Sequence, residues 1–264
     1  MKLLAPRQIV LLILIVLVLP ALTGCYTVPE TGRRDLALLS RSDEMKMGFS
    51  EFDKMKQAQK ISKDAKLNAL VQKVGKRIAS VAELPDAQWE FVLFESDVPN
   101  AFCLPGGKIG IYTGILPITQ NEAGLATVMG HEVAHAVARH GNARISRAMG
   151  VQMIGQILGQ AISHKSARVQ QLTMQAYGLG AQVGSTLPHS RGQEAEADHI
   201  GLLYMARAGY DPEEAVGFWQ RFAEYNSKAG GGTPWFLRTH PMDDKRVENL
   251  RALMPEAKRE FRPR

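Results

Sequence analysis

Apolar residues recur at steps of three and four over much of the chain. From Asp43 to about Lys60 the pattern is helical. From Ala65 to about Ala82 it is helical again, with Leu67, Leu70, Val71, Val74, Ile78 and Val81 on one face. Trp89 to Phe94 reads as a strand. Ala101 to Leu104 and Lys108 to Thr113 read as two short strands around the turn signal Pro105-Gly106-Gly107. Thr119 to Gly141 reads as one helix, with Thr119 and Glu122 as a capping box and Gly141 as its stop. Through 142–187, rich in Gln, Ala, Gly and Met, the residues Ile145, Met149, Met153, Ile157 and Ala161 step at fours. Scattered glycines weaken that helix by about 1 kcal/mol each relative to Ala. The segment reads as a helical insertion, a packing hairpin or a substrate gate. Ser190 and Gln193 can cap a last helix that runs to Ala208 and stops at Gly209. The fold class is α+β, mostly helical, with one small antiparallel sheet.

Ahead of these elements, Ile9 to Leu19 is unbroken aliphatic sequence, preceded by Lys2 and Arg7 and by no acid. A positive start, a short apolar run and small residues before a cut describe a secretory signal peptide over residues 1–24. Spanning a bilayer takes roughly 20 apolar residues, and an uncleaved anchor is the alternative. Leu22-Thr23-Gly24-Cys25 resembles the bacterial lipoprotein cleavage box. That resemblance implies that Cys25 becomes an acylated first residue, with acyl chains contributing about 0.8 kcal/mol per buried CH₂ to membrane attachment. Tyr26 stands where the inner-membrane retention signal usually has Asp, which points to the periplasmic face of an outer membrane. Residues 25–42, with Pro29, Gly32 and three arginines, read as a lipidated extended lead. Residues 43–264 then form the folded domain.

Composition narrows the function classes. The 264 residues carry 32 Lys+Arg against 26 Asp+Glu, a net charge of +6, with 45% hydrophobic and 22% charged residues. These are values of an ordinary globular protein, neither a disordered tail nor a multi-span membrane protein. The charges are mixed in sign and no basic block is interleaved with aromatics, so nucleic acid is not an expected partner. With two cysteines the chain is no disulfide scaffold. Cys103, in the apolar run Ala101-Phe102-Cys103-Leu104, reads as a small core residue ahead of a nucleophile.

The chemistry concentrates at His131-Glu132-Val133-Ala134-His135. On one helix the two histidines lie four apart and project from the same face, which suits two nitrogen ligands on one zinc ion. Glu132, displaced by one residue, can reach a water at the metal without ligating it. A catalytic zinc takes a third protein ligand. His140 is near, but Ala138 and Gly141 stand where the metzincin pattern needs Gly and His, and His140 reads as a C-terminal helix residue. The better candidate is Glu194. Glu194 and Asp198 share a helix face with Gly201, Leu202 and Met205, so two carboxylates point inward, which is costly unless they are paired or bind a cation. Glu194 then serves as third ligand and Asp198 as an acceptor for a ligand histidine N–H. Surface pairing of both acids with Arg191 or Arg207 is the alternative. Glu196 falls on the opposite side and reads as solvated.

These stretches, with Asn121-Glu122, Arg139-His140, Ser190-Arg191, Ala208-Gly209-Tyr210-Asp211-Pro212 and Thr239-His240-Pro241, resemble peptidase family M48, from about Ala65 to Leu253. That family holds the gluzincin endopeptidases related to the CAAX prenyl proteases and the HtpX membrane proteases. The resemblance implies a zincin-type metalloprotease domain with one Zn²⁺ per chain. It also implies that His240, after Gly230-Gly231-Gly232, approaches the metal, either assisting catalysis as an oxyanion donor or occupying the open position as a latch. Arg246, on a helix begun by Asp243, is placed to pair with an acid near the site. The chain looks most like the small single-domain lipoprotein members, and the prenyl-protease substrates are not carried over.

The expected function is a zinc metalloendopeptidase acting on unfolded or misassembled cell-envelope proteins, attached to the membrane by its N-terminal lipid. Lys108 to Tyr112 is the expected edge strand for an extended substrate, with Ile109, Gly110 and Ile111 as its binding residues and Gly110 leaving room for a second backbone. A buried hairpin strand is the alternative. An assembly or chaperone-like lipoprotein with a latched metal site, and a hydrolase of cell-wall peptides, are the competing functions. Oligomeric state is left open.

Overall fold

The computed structural model describes residues 24–185, 191–228, 236, 240 and 245–263. The expected signal peptide up to Thr23, Ser190, the Gly230-Gly231-Gly232 segment and Asp243 lie outside the described residues. The elements are β1 (Cys25–Thr27), β2 (Arg34–Leu36), α1 (Arg41–Ala58) and α2 (Ala65–Ala79). Then come β3 (Glu90–Phe94), β4 (Ala101–Leu104), β5 (Lys108–Tyr112), a 3₁₀ turn at Thr113–Ile115 and the short α3 (Leu116–Thr119). Among the described residues the remaining elements are helices: α4 (Glu122–Val137), α5 (His140–Ala161), α6 (Ala167–Ser185), α7 (Arg191–Arg207), α8 (Glu213–Lys228) and α9 (Arg246–Glu260). None of these helices is long and apolar enough to cross a membrane.

The chain divides into two compact units. One holds residues up to Val28, Gly32–Arg41 and residues 141–186. In it the expected extended lead is instead an antiparallel ribbon, with Cys25 opposite Leu36. The ribbon is stitched to α5: Leu38 N donates to Ser146 Oγ at 2.9 Å, and Asn142 Nδ2 to the Leu39 carbonyl at 2.8 Å. Arg147 Nη2 reaches both Asp35 oxygens at 2.9 Å. The insertion is a helical hairpin in which the Tyr177 hydroxyl donates to the Val151 carbonyl. Its four-step stripe of Met149, Met153 and Ile157 is exposed rather than packed.

The other unit holds Pro29–Thr31, residues 42–140 and the remainder from Leu187. Its sheet has the order β3-β5-β4. The tight Pro105-Gly106-Gly107 turn makes β4 and β5 antiparallel neighbours, and β3 joins the far side of β5 in parallel. The sheet is therefore mixed, and β5 is its centre. This corrects the expectation of an edge at Lys108–Tyr112. Ile109 and Ile111 are fully buried. A Cβ on Gly110 would stand 2.2 Å from the Phe102 ring. The missing side chain makes room for that ring, which packs with Phe52, Phe94 and Tyr112, and not for a substrate backbone.

Helix α4 is capped by Asn121, whose side chain accepts from Gly124 N at 2.8 Å. Thr119, the expected cap, instead ends α3. The helix stops at Val137 because Arg139 takes a φ of +52°, and α5 starts at His140; Gly141 is inside α5. Helices α4 and α7 approach so closely at Gly130 and Gly201 that no side chain fits between their backbones there. A Cβ on Gly130 would lie 2.7 Å from the Gly201 carbonyl oxygen, and one on Gly201 would lie 2.7 Å from His131 N. Two facing glycines thus let the helix bearing His131 and His135 touch the helix bearing Glu194 and Asp198.

Candidate metal centre

That crossing gathers four donors. The ligand-type atoms of His131, His135, Glu194 and His240 all lie within 4.8 Å of one another, and all four residues are buried. Glu194 Oε2 is 3.4 Å from His131 Nε2, and its Oε1 is 3.3 Å from His135 Nε2. The two histidine Nε2 atoms are 3.1 Å apart. His240 Nδ1 stands 3.1 Å from Glu194 Oε1 and 3.3 Å from His131 Nε2, its ring stacked on Phe236. The His240 position thus brings a residue more than a hundred positions from His131 into the same cluster.

The surroundings orient these groups. His131 Nδ1 is 2.9 Å from Asp198 Oδ1, which leaves Nε2 facing the cluster. Arg246 Nη2 reaches the same Asp198 oxygen at 2.7 Å and Glu194 Oε2 at 3.4 Å. Its guanidinium lies over the Trp219 ring, 3.3 Å from the centroid. Arg246 opens α9, with Lys245 as the flanking residue.

Glu196, expected in solvent, is buried, with Oε1 accepting from Thr31 Oγ1 at 2.5 Å and Oε2 lying 2.9 Å from His140 Nε2. The reason is that Pro29–Thr31 lies against α7, where Glu30 also pairs with Arg207 at 2.6 Å. Both sides of α7 are therefore covered, so the face opposite the metal ligands is not solvent. His140 is no C-terminal helix residue: it opens α5, is fully buried, and its Nδ1 is 2.8 Å from His135 Nδ1. Ile109, Gly110 and Ile111 are not brought to the cluster as an edge.

The electrostatics suit a cation. Burial alone would lower the proton affinity of His131, but hydrogen bonds to Asp198 and Glu194 raise its pKa to about 9. Burial raises the Glu194 pKa, yet His131, His135 and His240 outweigh it and hold the carboxylate far below its usual range. Burial pushes the Glu132 pKa up, opposed by His240 and His131. Glu132 Oε1 has no hydrogen-bond partner among the described residues, although His240 Nε2 is 3.4 Å away. Buried polar atoms are nearly always bonded, so this oxygen is held open toward the cluster. Three imidazoles and a carboxylate are a donor set that fits a divalent ion such as zinc. The Cys103 thiol is pushed up by burial and further by the Glu132 charge. That makes it a neutral, half-buried thiol rather than a nucleophile.

The model of peptidase family M48 matches residues 65–254. The Mitochondrial metalloendopeptidase OMA1 of Schizosaccharomyces pombe is 38% identical over 187 residues, 71% of this chain and 53% of that protein. The Beta-barrel assembly-enhancing protease of Yersinia pestis is 29% identical over 84% of this chain and 46% of its own length. The protein of the same name from Escherichia coli is 28% identical over 85% and 46%. The chain spans about half the length of these curated relatives. With a match that runs through both site helices and covers well over half of its residues, the chain belongs to peptidase family M48.

Proposed function

We propose that the protein is a zinc metalloendopeptidase that hydrolyses peptide bonds in unfolded or misassembled envelope proteins. The observation that carries this reading is the unbonded Glu132 oxygen beside a buried cluster of three histidines and Glu194. A purely structural metal site has no use for such a carboxylate. A zinc ion held by His131, His135 and Glu194 would supply Lewis-acid polarisation of the scissile carbonyl and acidify the attacking water. Glu132 accepts the proton of that water and delivers it to the leaving amine. Its burial raises its proton affinity above that of an exposed carboxylate. Asp198 fixes the His131 ring, and Arg246 steadies Asp198 and Glu194 by charge.

An extended substrate is accommodated by β4. Among the described residues β4 pairs only with β5, whereas the outer side of β3 is met by Ile61 and Ser62. Strand β4 also packs against α4, the helix that carries Glu132. A peptide adding to β4 by main-chain bonds would run past the base.

The bacterial relatives named as assembly-enhancing proteases support an envelope setting, as does the Leu22-Thr23-Gly24-Cys25 stretch. In this reading lipid on the exposed Cys25 holds the protein at the periplasmic face of an outer membrane. The test of the activity is Glu132→Gln. The variant keeps its zinc and loses cleavage of an unfolded test protein; cleavage at the parental rate would overturn the mechanism.

A second reading follows from His240, which adds a fourth donor to the cluster. Four protein ligands close a zinc site, whereas a catalytic site keeps one position open. His240 is then a latch, and the protein has an assembly role when latched. His240→Ala separates the two: faster cleavage marks a latch, slower cleavage a residue that assists the reaction.

A further inference from the structure

The outer nitrogen of His135 meets another imidazole, whereas that of His131 meets a carboxylate. His135 Nδ1 and His140 Nδ1 are 2.8 Å apart, so one of them must carry the proton between them. The rest of the line decides which. His140 Nε2 lies 2.9 Å from Glu196 Oε2, and a carboxylate only accepts, so Nε2 carries the His140 proton. In neutral His140 the Nδ1 is then bare and accepts from His135 Nδ1–H. That leaves His135 Nε2 with its lone pair aimed at Glu194 Oε1 and His131 Nε2, where a metal would be bound. The other Glu196 oxygen accepts from Thr31 Oγ1, which fixes the carboxylate. His140 is fully buried and Glu196 nearly so, which shields the line from water and strengthens each bond.

We propose that Thr31, Glu196 and His140 are positioning residues for the metal centre. They form a hydrogen-bond line in which Thr31 donates to Glu196 from one side and His135 donates to His140 and His140 to Glu196 from the other; this sets the tautomer of His135 and makes the Pro29–Thr31 segment a working part of the site. Glu30, adjacent to Thr31, pins that segment to α7 through Arg207 at 2.6 Å. Thr31 is thus joined to a candidate ligand through two side chains: Thr31 meets Glu196, Glu196 meets His140 and His140 meets His135. The proposal rests on the reading of His135 as a ligand.

The test is zinc affinity of the full chain, measured by competition with a chromophoric chelator, for the parent and for Thr31→Val, Thr31→Ser, Glu196→Gln and His140→Phe. Removing a partner behind a metal ligand typically weakens metal binding by about 10–100-fold. That loss is expected for Glu196→Gln and His140→Phe. Thr31→Val should lose about 3–10-fold, on the scale of one neutral hydrogen bond. Thr31→Ser should restore the parental affinity, which a merely structural role for the Thr31 backbone would not require. The visible spectrum of the cobalt-loaded protein should shift in the same order. Thr31→Val is isosteric and carries the test if the Glu196 or His140 variant fails to fold. Zinc affinities within twofold of the parent in Thr31→Val and in the folded members of the other pair would overturn the line while leaving the metal site standing. A parent that binds no zinc would remove the ligand reading and the line together.

Discussion

His131 Nδ1 and Asp198 Oδ1 stand 2.9 Å apart across the crossing of α4 and α7, and the same carboxylate oxygen takes Arg246 Nη2 at 2.7 Å. One acid therefore both fixes a ring and neutralises a buried guanidinium. Asp198→Asn keeps the shape but removes the charge. It is expected to weaken zinc binding by about 10–100-fold, read by chelator competition, with cleavage falling in step. Unchanged affinity would mean that Asp198 serves packing alone.

The crossing makes its own prediction. In Gly201→Ala the new Cβ meets His131 N and the backbone of Gly130 at under 3.0 Å, and neither is a flexible side-chain end. The helices must part, at a cost of about 1–3 kcal/mol. Urea unfolding should show that loss, and zinc affinity should fall with it because Glu194 moves away from the histidines.

Acidity offers a further check. In the metal-free protein the His131 pKa is raised from 6.5 to about 9 by Asp198 and Glu194, against the opposing effect of burial. The folded form binds that proton more tightly than the unfolded form does. Its contribution to stability is complete below pH 6.5 and is lost as pH rises through 9. Thermal unfolding in a chelator should therefore show a midpoint falling over that window, by on the order of 5–10 °C. With saturating zinc the sign reverses, because metal binding needs the ring deprotonated.

Gly110 separates a packing role from a substrate role. Its Cβ would lie 2.2 Å from the Phe102 ring, so Gly110→Ala is expected to destabilise the sheet by about 1–3 kcal/mol. Residual folded enzyme should keep the parental KM, since β5 is paired on both sides. A raised KM at unchanged stability would restore the edge-strand reading.

Much of the site was legible because it is written in local spacing. His131, Glu132 and His135 lie within two helical turns, and Glu194 and Asp198 share one face of a single helix, so periodicity alone groups each set. The motifs also carried the family. What escaped is set by tertiary contact. Glu196 looked solvated because helix geometry places it opposite Glu194, and nothing local says that Thr31 and His140 cover that side. The centre of the sheet was misplaced because strand order depends on where β3 enters, and the turn between β4 and β5 does not encode that. The break at Arg139 went to Gly141 because a positive φ is ordinarily read from glycine.

The central claim is that α4 and α7 meet to hold one divalent ion. Metal analysis of the purified parent and of Glu194→Ala tests it directly. One zinc per chain in the parent, and less than about a tenth of that in Glu194→Ala after dialysis against a weak chelator, is the predicted result, in line with the loss of one of three ligands. A parent without metal, or a Glu194→Ala protein that keeps a full equivalent, would contradict it.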